Sequence, residues 1–133
     1  MATIATMKLL GSLFLVGILA MACGGGGGDE FCDGGDCVCP SGSDCVIDCP
    51  PGVSCDVQAL NGSSVDVACG ESLDCDVECS SATGCDVDCA NGDCDVTCPA
   101  NNCTVTNCPE ATCTVLCGLS GLPTRTGNTA TCP

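Results

Sequence analysis

Histidine, tyrosine and tryptophan are absent from this sequence, and phenylalanine occurs twice in 133 residues. A chain so poor in large apolar side chains cannot fill an ordinary core, and small domains of that kind rely on covalent staples. Basic residues are almost missing too, with 2 Lys and Arg against 17 Asp and Glu. Such a balance repels a phosphate backbone and excludes nucleic-acid binding. It also disfavours anionic lipid head groups, leaving cations and basic proteins as complementary partners. With no His or Tyr, and with its one Lys (Lys8) near the N-terminus, the chain could offer only carboxylates and hydroxyls for acid, base and nucleophile. No Cys-x-x-Cys occurs, so zinc-site spacing and thioredoxin-like redox chemistry are both missing.

What the chain does have is 19 Cys, 18 Gly and 7 Pro. Cysteine at this density means either an oxidised disulfide framework or a metal-thiolate protein. The N-terminus bears on that choice. Lys8 is followed by an apolar run from Leu9 to Ala22 that is too short for a comfortable membrane span. A start at Met7 would put Lys8 directly in the charged region of an export signal. The run closes Leu19-Ala20-Met21-Ala22-Cys23, and Gly24 to Gly28 follow. This resembles the lipobox of bacterial lipoproteins. The resemblance implies a signal peptide over 1–22 and a lipid anchor on Cys23, with the Gly-rich segment 23–31 as a flexible tether. The alternative is ordinary secretion with Cys23 as one more disulfide partner. Either way the chain reaches an oxidising compartment.

Beyond Cys23 the sequence repeats about every ten residues. Units read CVIDC (45–49), CDVQA (55–59), VDVAC (65–69), CDVEC (75–79), CDVDC (85–89) and CDVTC (94–98). CTVTNC (103–108), with one residue inserted, and CTVLC (113–117) complete the set. The central residue of each is Ile47, Val57, Val67, Val77, Val87, Val96, Val105 or Val115, β-branched throughout. Alternation with period two turns Cys-Val-Cys to one side and Asp, Glu and Thr to the other. Loops such as PPGVS, LNGSS and PANN carry turn chemistry. Short strands joined by tight turns follow, and ordered strands argue against thiolate metal storage.

Two imperfect units select the disulfide pairing. Ala59 replaces the last Cys of one unit and Val65 the first Cys of the next. Bonds within a strand would orphan Cys55 and Cys69, and four residues of strand span ~13 Å against the ~4.4–6.8 Å between Cα atoms of a disulfide. Bonds across loops make Ala59 and Val65 the two halves of one missing link. The expected pairs are then Cys32–Cys37, Cys39–Cys45, Cys49–Cys55, Cys69–Cys75, Cys79–Cys85, Cys89–Cys94, Cys98–Cys103, Cys108–Cys113 and Cys117–Cys132.

A flat meander would leave every Cys-Val-Cys face uncovered. Coiling the chain into two facing sheets buries those faces and predicts an all-β, disulfide-rich β-solenoid over 32–117, with about 20 residues and ~4.8 Å of rise per coil. In architecture residues 39–117 resemble short-repeat, disulfide-laddered β-solenoids such as the beetle antifreeze proteins, whose cysteines also recur six apart. A disulfide-stapled antiparallel meander or small β-sandwich is the alternative. Residues 118–133 drop the repeat and are expected to form a C-terminal cap.

The strongest chemical candidate is an outward row, Asp56, Asp66, Asp76, Asp86 and Asp95, with Asp48, Glu78 and Asp88 beside it. Stacked carboxylates repel, and Ca²⁺ would relieve that repulsion through oxygen ligands; a solvated acidic face that keeps the protein soluble needs no ligand at all. Asp33-Gly34-Gly35-Asp36 and Asp93-Cys94-Asp95 also look like loop ligands. Ice binding would need a long flat Thr array, for which Thr104, Thr106, Thr112 and Thr114 are the material. Paired carboxylates hydrolyse glycosides, but a narrow rod provides no cleft. The expectation is a non-catalytic, lipid-anchored cell-envelope or surface protein, with a divalent-cation module as the alternative.

Overall fold

The computed structural model describes residues 35–90 and 93–133. The expected signal peptide (1–22), Cys23, the expected tether (23–31) and Cys32 lie outside them. Eleven strands follow in order: β1 Asp36–Cys39, β2 Asp44–Asp48, β3 Ser54–Ala59, β4 Ser64–Ala68, β5 Asp74–Glu78, β6 Gly84–Asp88, β7 Asp93–Cys98, β8 Cys103–Thr106, β9 Cys113–Cys117, β10 Thr124–Thr126 and β11 Thr129–Cys132. Odd-numbered strands up to β9 form one parallel sheet, in order β1-β3-β5-β7-β9. Even-numbered strands from β2 to β8 form the second, which ends in the antiparallel pair β11 and β10. Successive strands thus lie in opposite sheets and each coil contributes two. This is a β-solenoid of about four coils, in which parallel pairing excludes the meander.

Burial alternates along each strand as the repeat requires. In β5 Asp74, Asp76 and Glu78 are exposed while Cys75 and Val77 are buried. Ile47, Val57, Val67, Val77, Val87, Val96, Val105 and Val115 form the spine of one core, and disulfide cysteines flank it on both sides. Burying a Val side chain contributes about 1.5–3 kcal/mol, so eight such residues make a thin core without the crosslinks.

The coil length is not constant. Cys55 pairs with Cys75, twenty residues on, whereas Cys75 pairs with Cys94 and Cys85 with Cys103. Shorter loops absorb these differences, so Cys still stacks on Cys and Val on Val. At the inserted residue, Asn107, the backbone turns left-handed at φ 50°. That geometry is uncommon outside Gly and best tolerated by Asn and Asp, and it returns Cys108 to the interior, fully buried. The Asn107 Nδ2 donates to Asp88 Oδ1 at 2.7 Å, which ties the bulge to the neighbouring coil.

Disulfides join Cys39–Cys45, Cys49–Cys55, Cys69–Cys75, Cys79–Cys85, Cys89–Cys94, Cys98–Cys103, Cys108–Cys113 and Cys117–Cys132. Seven of the eight span one loop between consecutive strands, with Cα separations from 5.2 to 6.3 Å. These are the pairs that the loss at Ala59 and Val65 selects. Cys37 is disulfide-bonded as well, and its expected partner, Cys32, is outside the described residues. Because loops alternate between the two edges of the solenoid, the bonds form two columns.

Residues 118–133 close the far end. After nine strands added in parallel, the chain reverses and lays β11 antiparallel on β8, with Cys132 beside Cys103. Arg125, on β10, donates from Nη1 to Cys108 O and from Nη2 to Cys113 O, each at 2.9 Å. One guanidinium thereby fastens the hairpin to the end of the other sheet.

Candidate functional site

The outward faces carry the side chains that remain available for function. The structure divides the expected Asp row in two. Asp56, Asp76 and Asp95 stand in one row on the odd-strand sheet, in register with each other and with Asp36. Asp66 and Asp86 stand on the opposite face, on the even-strand sheet. The correction has a simple cause: consecutive units enter opposite sheets, so residues ten apart cannot share a face, while residues about twenty apart do.

On the odd-strand face the ladder Asp36, Asp56, Asp76 and Asp95 runs across four strands and ends at Thr114. Neighbouring rungs are ~4.8 Å apart. Asp74 pairs with Asp93 on one side of it, and Glu78 lies between Gln58 and Thr97 on the other. Asp76 occupies the middle, and its carboxyl is raised above the ordinary value, chiefly by burial and then by Asp74, Asp95 and Asp56. Glu78 accepts a hydrogen bond from the Ser80 backbone N–H at 2.9 Å.

Asp36 and Asp93 are therefore strand residues, and the loop-ligand resemblance of 33–36 and 93–95 does not describe them. Asp36 belongs to the ladder because β1 reads Asp-Cys-Val-Cys with Cys37 in the place of Val57. Counting back twenty residues from Asp56 would have found it; a search for a β-branched unit centre does not.

The even-strand face changes character along its length. One row reads Val46, Asp66, Asp86, Thr104, Thr131 and Thr124. Beside it run Asp48, Ala68, Asp88 and Thr106, and the same register continues to Thr129 and its partner Thr126. Six threonines on β8, β11 and β10 thus form an uncharged patch next to an acidic one. Thr112 and Thr114 are not part of it, since β9 lies in the other sheet.

Three groups of sulfur atoms lie close enough to resemble metal clusters: Cys49, Cys55 and Cys75; Cys69, Cys89 and Cys94; Cys98, Cys103 and Cys132. All of these sulfurs are already in disulfides, so none offers a thiolate, and their closeness reflects the stacking of crosslinks. An open depression of about 410 Å³ is lined by Leu73, Cys89, Ala90, Asp93, Asn107, Pro109 and Thr112, with Asp93 as its one ionisable side chain. General acid–base chemistry on a substrate there would lack a second group. Comparison with protein-family models, with curated proteins and with solved structures gives no match for this chain, so its surfaces carry the functional reading.

Proposed function

We propose that the protein is an exported, lipid-anchored component of a cell envelope or cell surface, with a structural or interaction role and no catalytic one. The observation that carries this reading is the disulfide framework: every cysteine among the described residues is bonded, a state that belongs to oxidising compartments. A crosslinked interior of Cys and Val leaves two outer faces, one acidic and the other acidic at one end and Thr-rich at the other, suited to spacing or contact. The depression beside Asp93 supports the same view, because one carboxylate without a cleft is poor catalytic equipment. The Thr patch spans three strands, short of the long array that ice binding would require.

The decisive measurement is an unreduced intact mass of the protein isolated from the membrane fraction of its own cells. A diacylglyceryl group on Cys23 with all other cysteines oxidised is the expected result. A mature chain with an unmodified Cys23, or one released into the medium, would overturn the anchored reading.

The second reading is a divalent-cation module. The four-rung ladder Asp36–Asp56–Asp76–Asp95 favours it, since carboxylates held in register repel and hard cations take oxygen ligands. It rests on one face, not on the five residues of the expected row.

A further inference from the structure

The two disulfide columns differ in a way that bears on chemistry. In the column formed by Cys49–Cys55, Cys69–Cys75, Cys89–Cys94 and Cys108–Cys113, consecutive bonds touch. Cys49 Sγ lies 3.9 Å from Cys75 Sγ, Cys69 Sγ 3.7 Å from Cys94 Sγ, and Cys89 Sγ 3.9 Å from Cys113 Sγ. No thiol hydrogen exists on these atoms, so the contacts are sulfur against sulfur. Following the atoms gives an unbroken alternation: a bond from Cys55 to Cys49, a contact to Cys75, a bond to Cys69, a contact to Cys94, a bond to Cys89, a contact to Cys113 and a bond to Cys108. Each contact joins the inner end of one disulfide to the next disulfide in line.

We infer that this edge of the solenoid is a thiol–disulfide exchange relay. The reaction is attack of a thiolate on a neighbouring disulfide sulfur, with the other sulfur leaving as thiolate. A dithiol reductant supplies the first step. The two terminal bonds contain the most exposed cysteine residues of the column, Cys49 at 8 % and Cys113 at 4 %. The dithiol attacks Cys113, its second thiol displaces Cys113 from the mixed disulfide, and it leaves as a cyclic disulfide, two electrons oxidised. Cys108 and Cys113 are then thiols. The Cys113 thiolate attacks Cys89: a Cys89–Cys113 bond forms, Cys89–Cys94 breaks, and the electron pair leaves on Cys94. Cys94 attacks Cys69 and releases Cys75, and Cys75 attacks Cys49 and releases Cys55, which takes up the proton given up by Cys113.

Every step conserves the number of disulfides, and the end state holds thiols at Cys108 and Cys55. Opening the Cys49–Cys55 bond first gives the same two thiols by the reverse sequence. Reduction at one end therefore appears at the other, three coils or ~14 Å away. Contact between reacting sulfurs replaces a bimolecular encounter, which is the usual source of large intramolecular advantages.

The opposite column supplies an internal control. There Ala59 is stacked on Cys39, and Val65 stands between Cys45 and Cys85. An aliphatic side chain carries no exchange, so the Cys39–Cys45 bond is isolated from those beyond the gap.

The experiment uses the full oxidised protein, dithiothreitol sufficient to open about one bond per molecule, quenching with an alkylating agent, and non-reducing peptide mapping. Cross-coil peptides Cys49–Cys75, Cys69–Cys94 and Cys89–Cys113 are expected, with label concentrated on Cys55 and Cys108. They form faster as pH rises, because the thiolate is the attacking form. Label on both cysteines of each opened bond, without cross-coil peptides, would overturn the relay. The double variant Cys69→Ser/Cys75→Ser, checked for fold by circular dichroism, removes the two central contacts but keeps that between Cys89 and Cys113. Opening Cys49–Cys55 should then label both of its own cysteines equally, while opening Cys108–Cys113 labels Cys108 together with Cys113 or Cys94. Label on Cys55 in excess of Cys49 in that variant would equally rule the relay out, since no neighbouring disulfide is left in contact with Cys49 to take its partner's place.

Discussion

Ala59 and Val65 occupy the place of a disulfide directly above the bond between Cys39 and Cys45. The register sets Cys39 beside Ala59 and Cys45 beside Val65, and both aliphatic side chains are buried. The backbone at this corner thus follows the course that a crosslink requires elsewhere. The double variant Ala59→Cys/Val65→Cys is expected to form a further disulfide and to stabilise the fold by about 2 kcal/mol through the constraint on the unfolded chain. An unreduced mass two hydrogens lighter than the dithiol form, together with a raised Tm, is the outcome to look for. Either single variant leaves an odd thiol and lowers folding yield.

The raised carboxyl of Asp76 sets the sign of a pH effect. Its folded value lies above its unfolded one because burial and the neighbours Asp74, Asp95 and Asp56 oppose its charge. The stabilising contribution is therefore complete below the ordinary carboxylate range and is lost as pH rises through the raised value. Thermal melts should show this contribution as a deficit of the wild type against Asp76→Asn that grows as pH rises from the ordinary carboxylate range to pH 7. Asp76→Asn should raise Tm at pH 7 and flatten the pH dependence. A variant that loses stability at neutral pH would contradict this account.

Mutual repulsion among Asp36, Asp56, Asp76 and Asp95 also predicts how cations act. If the acidic faces serve solubility and contact, Na⁺ at matched ionic strength should reproduce the stabilisation given by Ca²⁺, since both act by screening. Calorimetric titration of the oxidised protein should then show no saturable heat. A stoichiometric signal lost in Asp56→Asn/Asp76→Asn but retained in Asp66→Asn/Asp86→Asn would instead establish the cation-binding reading, and would locate it on one face.

Much of this was legible in the sequence because the repeat is short and strict. Paired loss at Ala59 and Val65 determined the crosslinks, and period two told inside from outside. What period two cannot tell is which of two outer faces a residue joins, for that depends on the parity of its unit in the coil. Asp66 and Asp76 are alike locally and end on opposite sides. Thr124, Thr126, Thr129 and Thr131 were invisible for another reason: they lie beyond the repeat, and an antiparallel hairpin brings them beside Thr104. The contacts of Arg125 are likewise tertiary, made across 12 and 17 residues of chain.

Arg125 provides the last prediction. A solenoid ends in two open strand edges, and unpaired edges invite association with another chain. One sheet is finished by β11 and β10. On the other, the outer edge of β9 is occupied at Cys113 by the Arg125 guanidinium and at Cys117 by Gly121, whose backbone N–H and C=O both bond to it. Gly121 has no room for a substituent there, since a Cβ would stand 2.5 Å from the Cys117 carbonyl oxygen. Hydrogen bonds from a charged donor contribute about 1.5–3 kcal/mol each. Arg125→Ala should therefore loosen the hairpin by a few kcal/mol at most while the Cys117–Cys132 bond keeps it attached. The freed β9 edge should then pair between molecules, giving concentration-dependent oligomers by size-exclusion chromatography with light scattering. Arg125→Lys, with a single ammonium unable to span both carbonyls, should fall between. A monomeric, fully stable Arg125→Ala protein would mean that Gly121 and the disulfide guard the edge without help.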